Sequence, residues 1–149
     1  VKIRRAVIND VSDLVDFNQA MAQETESKAL DQQTLSKGVS ALITDPNKGF
    51  YLVAQQADGQ IIGSLMVTFE WSDWRNAQFW WIQSVYVRPQ NRRTGVYSKL
   101  YQQVQALAEQ NDGVCGYRLY VEKDNLPAQK TYESLGMHES YYLMYESKL

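Results

Sequence analysis

Apolar and polar positions recur along this chain with two different periods, and the switches between them mark out its elements. Residues 3–8 form a short, β-branched, partly alternating run that predicts a strand, and Asn9 and Asp10 after it suit a helix N-cap. Val11, Leu14, Val15, Asn18, Met21 and Ala22 then follow helical spacing. Leu35, Val39, Leu42 and Ile43 repeat it until Asp45-Pro46 stops the run, so two amphipathic helices come in succession. Residues 50–54 and 61–69 are rich in strand formers and flank Asp58-Gly59, a pair suited to the positive φ angles of a tight hairpin turn. Residues 78–87 read as a further strand ended by Pro89, after which Leu100, Val104, Leu107 and Ala108 mark a helix closing at Asn111, Asp112 and Gly113. Cys115, Tyr117, Leu119 and Val121 share one face of an alternating strand, residues 128–135 look helical with Gly136 as their C-terminal cap, and residues 137–145 predict a last strand. This order of elements predicts an α/β (α+β) fold: a mixed, mostly antiparallel sheet with helices on both faces.

Length and composition narrow the function more than the fold. A chain of 149 residues suits one globular domain with one active site, without internal repeats, linkers or low-complexity tracts. Hydrophobic residues at 44% and charged residues at 21% are ordinary for a folded chain, so the whole of it is expected to fold. A net charge of -2 argues against nucleic-acid binding by bulk electrostatics. A single cysteine, Cys115, cannot close an internal disulfide. With no signal-peptide pattern and no apolar run long enough for a bilayer, a cytoplasmic location without a membrane partner is expected.

The most informative segment is Arg92-Arg93-Thr94-Gly95-Val96-Tyr97, between the end of a strand and the start of a helix. Backbone N–H groups there, the positive end of the helix dipole and a glycine that permits close approach suit a pyrophosphate, and Arg88, Arg92, Arg93 and Lys99 add positive charge. Gln83-Ser84-Val85-Tyr86-Val87-Arg88-Pro89 leads into this loop. Leu119-Tyr120-Val121, Asn125, Ala128 and Tyr132-Glu133-Ser134-Leu135-Gly136-Met137 follow it. Together these segments resemble the GNAT N-acetyltransferase superfamily, closely from about Trp80 to Glu146 and before that only in the order of elements. The resemblance implies an acetyl-CoA-dependent enzyme with two splayed central strands. Val85, Tyr86 and Val87 would offer backbone groups to the pantetheine arm. Arg92, Arg93, Thr94, Gly95, Val96, Tyr97 and Ser98 would cradle the CoA pyrophosphate, Asn125 with Ala128 would contact the pantetheine, and Tyr132 would face the thioester sulfur. The family pattern ends in a small residue where this chain has Tyr97, whose ring is expected to point away from the loop, since only the backbone there need approach the ligand.

Attack on a thioester needs a neutral amine, whereas a lysine-like amine, with a pKa of about 10.4, is almost wholly protonated at neutral pH. A base must take that proton, and Glu24, Glu26, Glu70, Asp73 and Glu122 are the candidates, with Glu70 first because it sits where a strand runs into an aromatic loop. The leaving thiolate then needs an acid, a role that fits Tyr132. All four tryptophans, Trp71, Trp74, Trp80 and Trp81, lie near one strand connection, which suits either an aromatic wall binding an ammonium acceptor beside Asp73 or a packed, subunit-facing cluster closing a homodimer. Trp80 and Trp81 should point to opposite faces of their strand. Glu24 and Glu26, between the first two helices, are further candidates for acceptor contacts. His138 and Cys115 stand alone and read as structural, with no metal site. The acceptor remains open among small-molecule and peptide amines, and a non-catalytic acyl-CoA sensor is the alternative of another class.

Overall fold

The computed structural model describes all residues from Val1 to Leu149. They form two compact units, Val1–Leu119 and Tyr120–Leu149. In the first, β1 (Lys2–Arg5) and a 3-10 turn lead into α1 (Val11–Glu26) and α2 (Gln32–Thr44). There follow β2 (Gly49–Gln55), β3 (Ile61–Ser72), β4 (Ala77–Val87), a second 3-10 turn at Pro89–Asn91, α3 (Val96–Glu109) and β5 (Val114–Arg118). The sheet order is β1-β2-β3-β4-β5, antiparallel throughout except for the parallel pair β4-β5. Two early helices, a meander and a helical crossover into a parallel strand are the arrangement expected from the pattern.

Strand alternation assigns the helices to their faces. Tyr51 and Val53 of β2 join Leu14, Val15 and Phe17 of α1 and Val39 and Leu42 of α2 in one buried cluster. The neighbouring side chains Phe50, Leu52 and Ala54 point to the other face, where Gly63 of β3 pairs with Ala54. A Cβ on Gly63 would lie 3.1 Å from Val96 Cγ1, so α3 packs there, opposite α1 and α2. Trp80 is buried on the α3 face, its ring 5.3 Å from Phe50 at 76°.

Asp10 is the N-cap residue of α1, as its place in the sequence suggests, and it is buried. Its carboxylate accepts from Arg4 Nη1 at 2.8 Å, Arg4 Nη2 at 3.0 Å and the Val7 amide at 2.7 Å. Hydrogen bonding from Arg4 is the main cause that holds its pKa below the ordinary 3.8, against the opposing effect of burial and with help from the Val7 amide. A carboxylate depressed in the folded state stabilises the fold above its unfolded pKa, and that stability is lost as pH falls through the folded value. The melting temperature is therefore expected to drop as pH falls from about 5, and Asp10→Asn should flatten that part of the profile. At neutral pH the same variant should cost about 1–3 kcal/mol, read from denaturant unfolding.

In the second unit Asn125 caps α4 (Leu126–Ser134), its side chain accepting from the Ala128 amide at 3.2 Å. Gln129 Nε2 donates to the carbonyls of Glu122 and Lys123, closing the loop before the helix. Gly136 takes φ 91°, as a C-terminal cap requires, and the Met137 amide returns to the Tyr132 carbonyl at 3.1 Å. Two expectations are corrected here. β5 ends at Arg118, so Leu119 and Val121 lie beyond the strand, and residues 137–145 form no strand. Their local composition is that of a strand, but a strand exists only where a neighbour takes its ladder hydrogen bonds, and this unit contains none. No helix of the chain is long and apolar enough to cross a membrane.

Candidate functional site

A bulge in β4 governs the geometry around the loop. On β3 the paired positions step from Ser64 to Met66 while on β4 they step from Tyr86 to Gln83, and Ser84 within that interval has φ 50°. The extra residue inverts the alternation. Trp80 and Ile82 face the α3 side. Beyond the bulge Tyr86 instead joins the cluster under α1 and α2, 5.0 Å from the Phe17 ring, and Val87 comes to lie beside Gly63 and Val96. The parallel ladder with β5 stops at Trp81↔Arg118, while β4 runs on to Val87. Val85 and Val87 thus lie on the part of β4 beyond its β5 ladder, and the Tyr86 ring is committed to the core, leaving its backbone as the part available to a ligand.

The loop after β4 has the form an anion seat requires. Arg93 (φ 64°) and Gly95 (φ 86°) are both left-handed, and Gly95 is the N-cap of α3. The first helical bond of α3 runs from the Lys99 amide to the Gly95 carbonyl at 3.1 Å, so the amides of Val96, Tyr97 and Ser98 precede the intrahelical ladder. The Thr94 hydroxyl donates to the Asn91 carbonyl, tightening the turn. A Cβ on Gly95 would meet nothing within 4 Å. The space over this backbone is therefore open.

The arginines divide their roles. Arg92 Nε donates to the Val87 carbonyl at 2.8 Å, its Nη2 reaches Glu24 of α1 at 2.9 Å, and its guanidinium lies 5.4 Å from the Tyr86 ring centroid. Arg88 donates to the Ile61 carbonyl at 2.8 Å and faces Asp13 of α1 at 3.5 Å. Both side chains tie the loop to α1 and β3, while Arg93 and Lys99 are exposed. Glu24 thus pairs with the loop, and Glu26 is exposed at the end of α1.

Behind the loop, a Cβ on Gly63 would come within 3.0 Å of the Tyr86 carbonyl oxygen as well as 3.1 Å of Val96. Glycine there lets the first turn of α3 sit directly on the sheet. The Tyr97 ring lies 6.3 Å from Tyr101, which in turn meets Tyr117 of β5 edge-on at 5.9 Å. Tyr97 is accordingly built into the packing of α3 on the sheet, and its backbone remains at the helix start.

On the face occupied by α1 and α2, Glu70 Oε1 accepts from Trp81 Nε1 at 2.6 Å and Oε2 from Arg118 at 2.8 Å. The Arg118 guanidinium stacks 3.6 Å over the Phe79 ring. Trp80 and Trp81 do point to opposite faces, but the four tryptophans form no single wall. Trp71 (60% exposed) stands near the end of β3 and Trp74 (89%) in the β3-β4 turn, where Asp73 is also exposed. In the second unit, Asn125 and Ala128 are joined by the capping bond, and burial raises the Tyr132 phenol pKa above its ordinary 10.0.

Three features escaped the sequence reading. An isolated glycine in a strand pattern, Gly63, is a recognisable sign of close backbone approach. The left-handed Ser84 and the Glu70–Arg118 pair carry no local sign, because both depend on pairing between distant strands.

The sequence model of the Acetyltransferase (GNAT) family matches residues 12–137. The crystal structure of a possible acetyltransferase from Clostridium difficile 630 is 44% identical, covering 99% of this chain and 97% of that one with a TM-score of 0.92. The aminoglycoside 6'-N-acetyltransferase of Acinetobacter haemolyticus shares 20% identity over 100% of this chain and 99% of its own, with a TM-score of 0.78. Glucosamine-6-phosphate N-acetyltransferase from Arabidopsis thaliana shares 19% over 98% and 97%, with a TM-score of 0.74, and both likenesses speak for the fold alone. No curated protein sequence matches the chain. The glycine turn at the head of α3 and the bulged strand before it are thus found in a chain whose sequence matches the acetyltransferase profile over most of its length, and the chain belongs to the GNAT acetyltransferase family.

Proposed function

We propose that residues 1–149 act as one N-acetyltransferase domain in the cytoplasm, moving an acetyl group from acetyl-CoA to a primary amine of a small molecule or peptide within a ternary complex. The observation that carries this reading is the paired left-handed backbone at Arg93 and Gly95, opening α3 with no protein atom over the glycine. Such a turn fits a diphosphate, which the amides of Arg93, Thr94, Gly95, Val96, Tyr97 and Ser98 would hold, with charge from the Arg93 side chain. Val85 and Val87 offer backbone groups to the pantetheine, and the Asn125 amide group donates to it while its carbonyl oxygen caps α4. The bound cofactor supplies an activated thioester.

This chain's own residues then move two protons. Glu70 takes one from the ammonium of the acceptor through a water, since both its oxygens already hold Trp81 and Arg118. Tyr132 gives one to the departing sulfur as the carbon–nitrogen bond forms and the carbon–sulfur bond breaks, and the second proton that the nitrogen sheds on becoming an amide restores the phenol. Trp71, Asp73 and Trp74 offer charge and aromatic surface to a cationic acceptor, whereas Glu24, paired with Arg92 beside Val87, and Glu26 lie at the end of α1, toward the other end of β4. Neighbours in fold named as acetyltransferases of an aminoglycoside and of glucosamine-6-phosphate support a small amine as acceptor. The net charge of -2 speaks against nucleic acid, and the assembly is a homodimer.

Calorimetry with CoA, together with free-thiol release from acetyl-CoA over a panel of amines, tests the reading. Binding with amine-dependent thiol release is expected. Binding with no release above background would make the chain a CoA sensor, and no binding at all would remove the donor site.

A further inference from the structure

Glu70 is held more closely than a carboxylate at the water boundary needs to be. Arg118, the last residue of β5, pairs with Trp81 of β4, which pairs in turn with Thr68 of β3, so its guanidinium must cross β4 diagonally to meet Glu70. The sheet makes room for that crossing. A Cβ on Gly116 of β5 would come within 3.0 Å of Phe79 Cε1, and with no side chain there the Phe79 ring lies against β5. Arg118 stacks over this ring at 3.6 Å and donates to Glu70 Oε2 at 2.8 Å, while Trp81 holds Oε1 at 2.6 Å. The side chains of the pair are 30% and 39% exposed, and an ion pair so open to water contributes little to stability. An arrangement that draws on three strands therefore calls for a reason other than holding the sheet together.

We propose that Arg118 is a positioning residue for acetyl transfer that acts through Glu70: it fixes the carboxylate in one orientation and balances its charge, so that the acceptor meets a base without meeting a net anion. This inference rests on the reading of Glu70 as the base. The physical reason lies in the need for a neutral amine. A carboxylate standing alone beside the acceptor favours the ammonium, the form that cannot attack, because opposite charges stabilise one another. Balanced by Arg118, Glu70 loses most of that hold on the ammonium. It keeps its capacity to accept, since an ionised carboxylate has about four lone-pair sites and Trp81 and Arg118 occupy two. The others point in fixed directions, toward the water that carries the proton.

Arg118→Met keeps an unbranched stem to lie over Phe79 and removes the charge. Its kcat is expected to fall by roughly tenfold or more, with the Kd for acetyl-CoA changed by less than about twofold. The KM for the amine should fall with kcat, because a bare Glu70 retains the ammonium. Arg118→Lys restores a charge and should recover most of the turnover. Arg75→Met should leave turnover unchanged, for Arg75 lies 5.0 Å over the same ring but donates to Ser72. Glu70→Gln should lower kcat by about 10²-fold, and adding Arg118→Met to it should lower kcat no further, since the arginine acts through the carboxylate. Undiminished turnover in Glu70→Gln would overturn the base and this inference together. A loss in Glu70→Gln beside full turnover in Arg118→Met, a rise in the amine KM of Arg118→Met, or losses that multiply in the double variant would each overturn the positioning role alone. Arg118→Gln, uncharged but still a donor, carries the same comparison if the methionine variant does not fold.

Discussion

Replacing Tyr132 by phenylalanine is expected to lower kcat by about 10²-fold, the usual contribution of a positioned general acid, while the Kd for acetyl-CoA changes by less than about twofold. The substitution removes one hydroxyl and keeps the ring, so a loss of turnover without a loss of binding separates proton donation from packing. The pH dependence carries a second signature. Burial raises the Tyr132 phenol above its ordinary 10.0, so it stays protonated, and thus competent as an acid, across the whole neutral range. Any alkaline limb of the kcat profile due to this group must lie above pH 10.0, and the variant must leave the acidic limb, set by the group that deprotonates the amine, in place. Undiminished turnover in the phenylalanine variant would strip Tyr132 of its role.

Gly95→Val is expected to raise the Kd for CoA by at least about tenfold while leaving the chain folded. Two costs are separable at this position. The left-handed backbone at φ 86° penalises a residue with a side chain by roughly 1–2 kcal/mol, a shift of a few degrees in melting temperature for a domain of this size. A Cβ here would meet no protein atom within 4 Å, so the branch point itself creates no clash in the empty chain. The side chain would instead occupy the space through which a phosphate must approach, and losing one charge-assisted hydrogen bond there is worth about 1.5–3 kcal/mol. Unchanged affinity in a folded variant would show that the diphosphate is held elsewhere.

What could be read from the sequence was whatever is written within a few consecutive residues. The periods of α1, α2 and α3 are local and survived intact, as did the hairpin at Asp58-Gly59, where Gly59 takes φ 91°. The glycine turn at the head of α3 was legible for the same reason, because strand end, glycine and helix start follow one another directly. Features that depend on what lies across the sheet were not. The turnover of faces at Ser84 is set by register against β3, and Glu70 finds Arg118 across a separation of 48 residues. Residues 137–145 mark the opposite failure. Their composition announces a strand, but composition cannot supply the neighbour that would make them one.

The bare backbone at Gly63 has a consequence for how accurately a ligand can be received. Loops usually owe their positions to their own flexible side chains, and their tolerances are correspondingly wide. Here the first turn of α3 rests on a strand in the middle of the five-stranded sheet, with only a glycine between them. The turn proposed to grip the diphosphate therefore inherits its coordinates from the stiffest layer of the molecule, and a single methyl group inserted beneath it would move that whole turn without touching any of its own atoms.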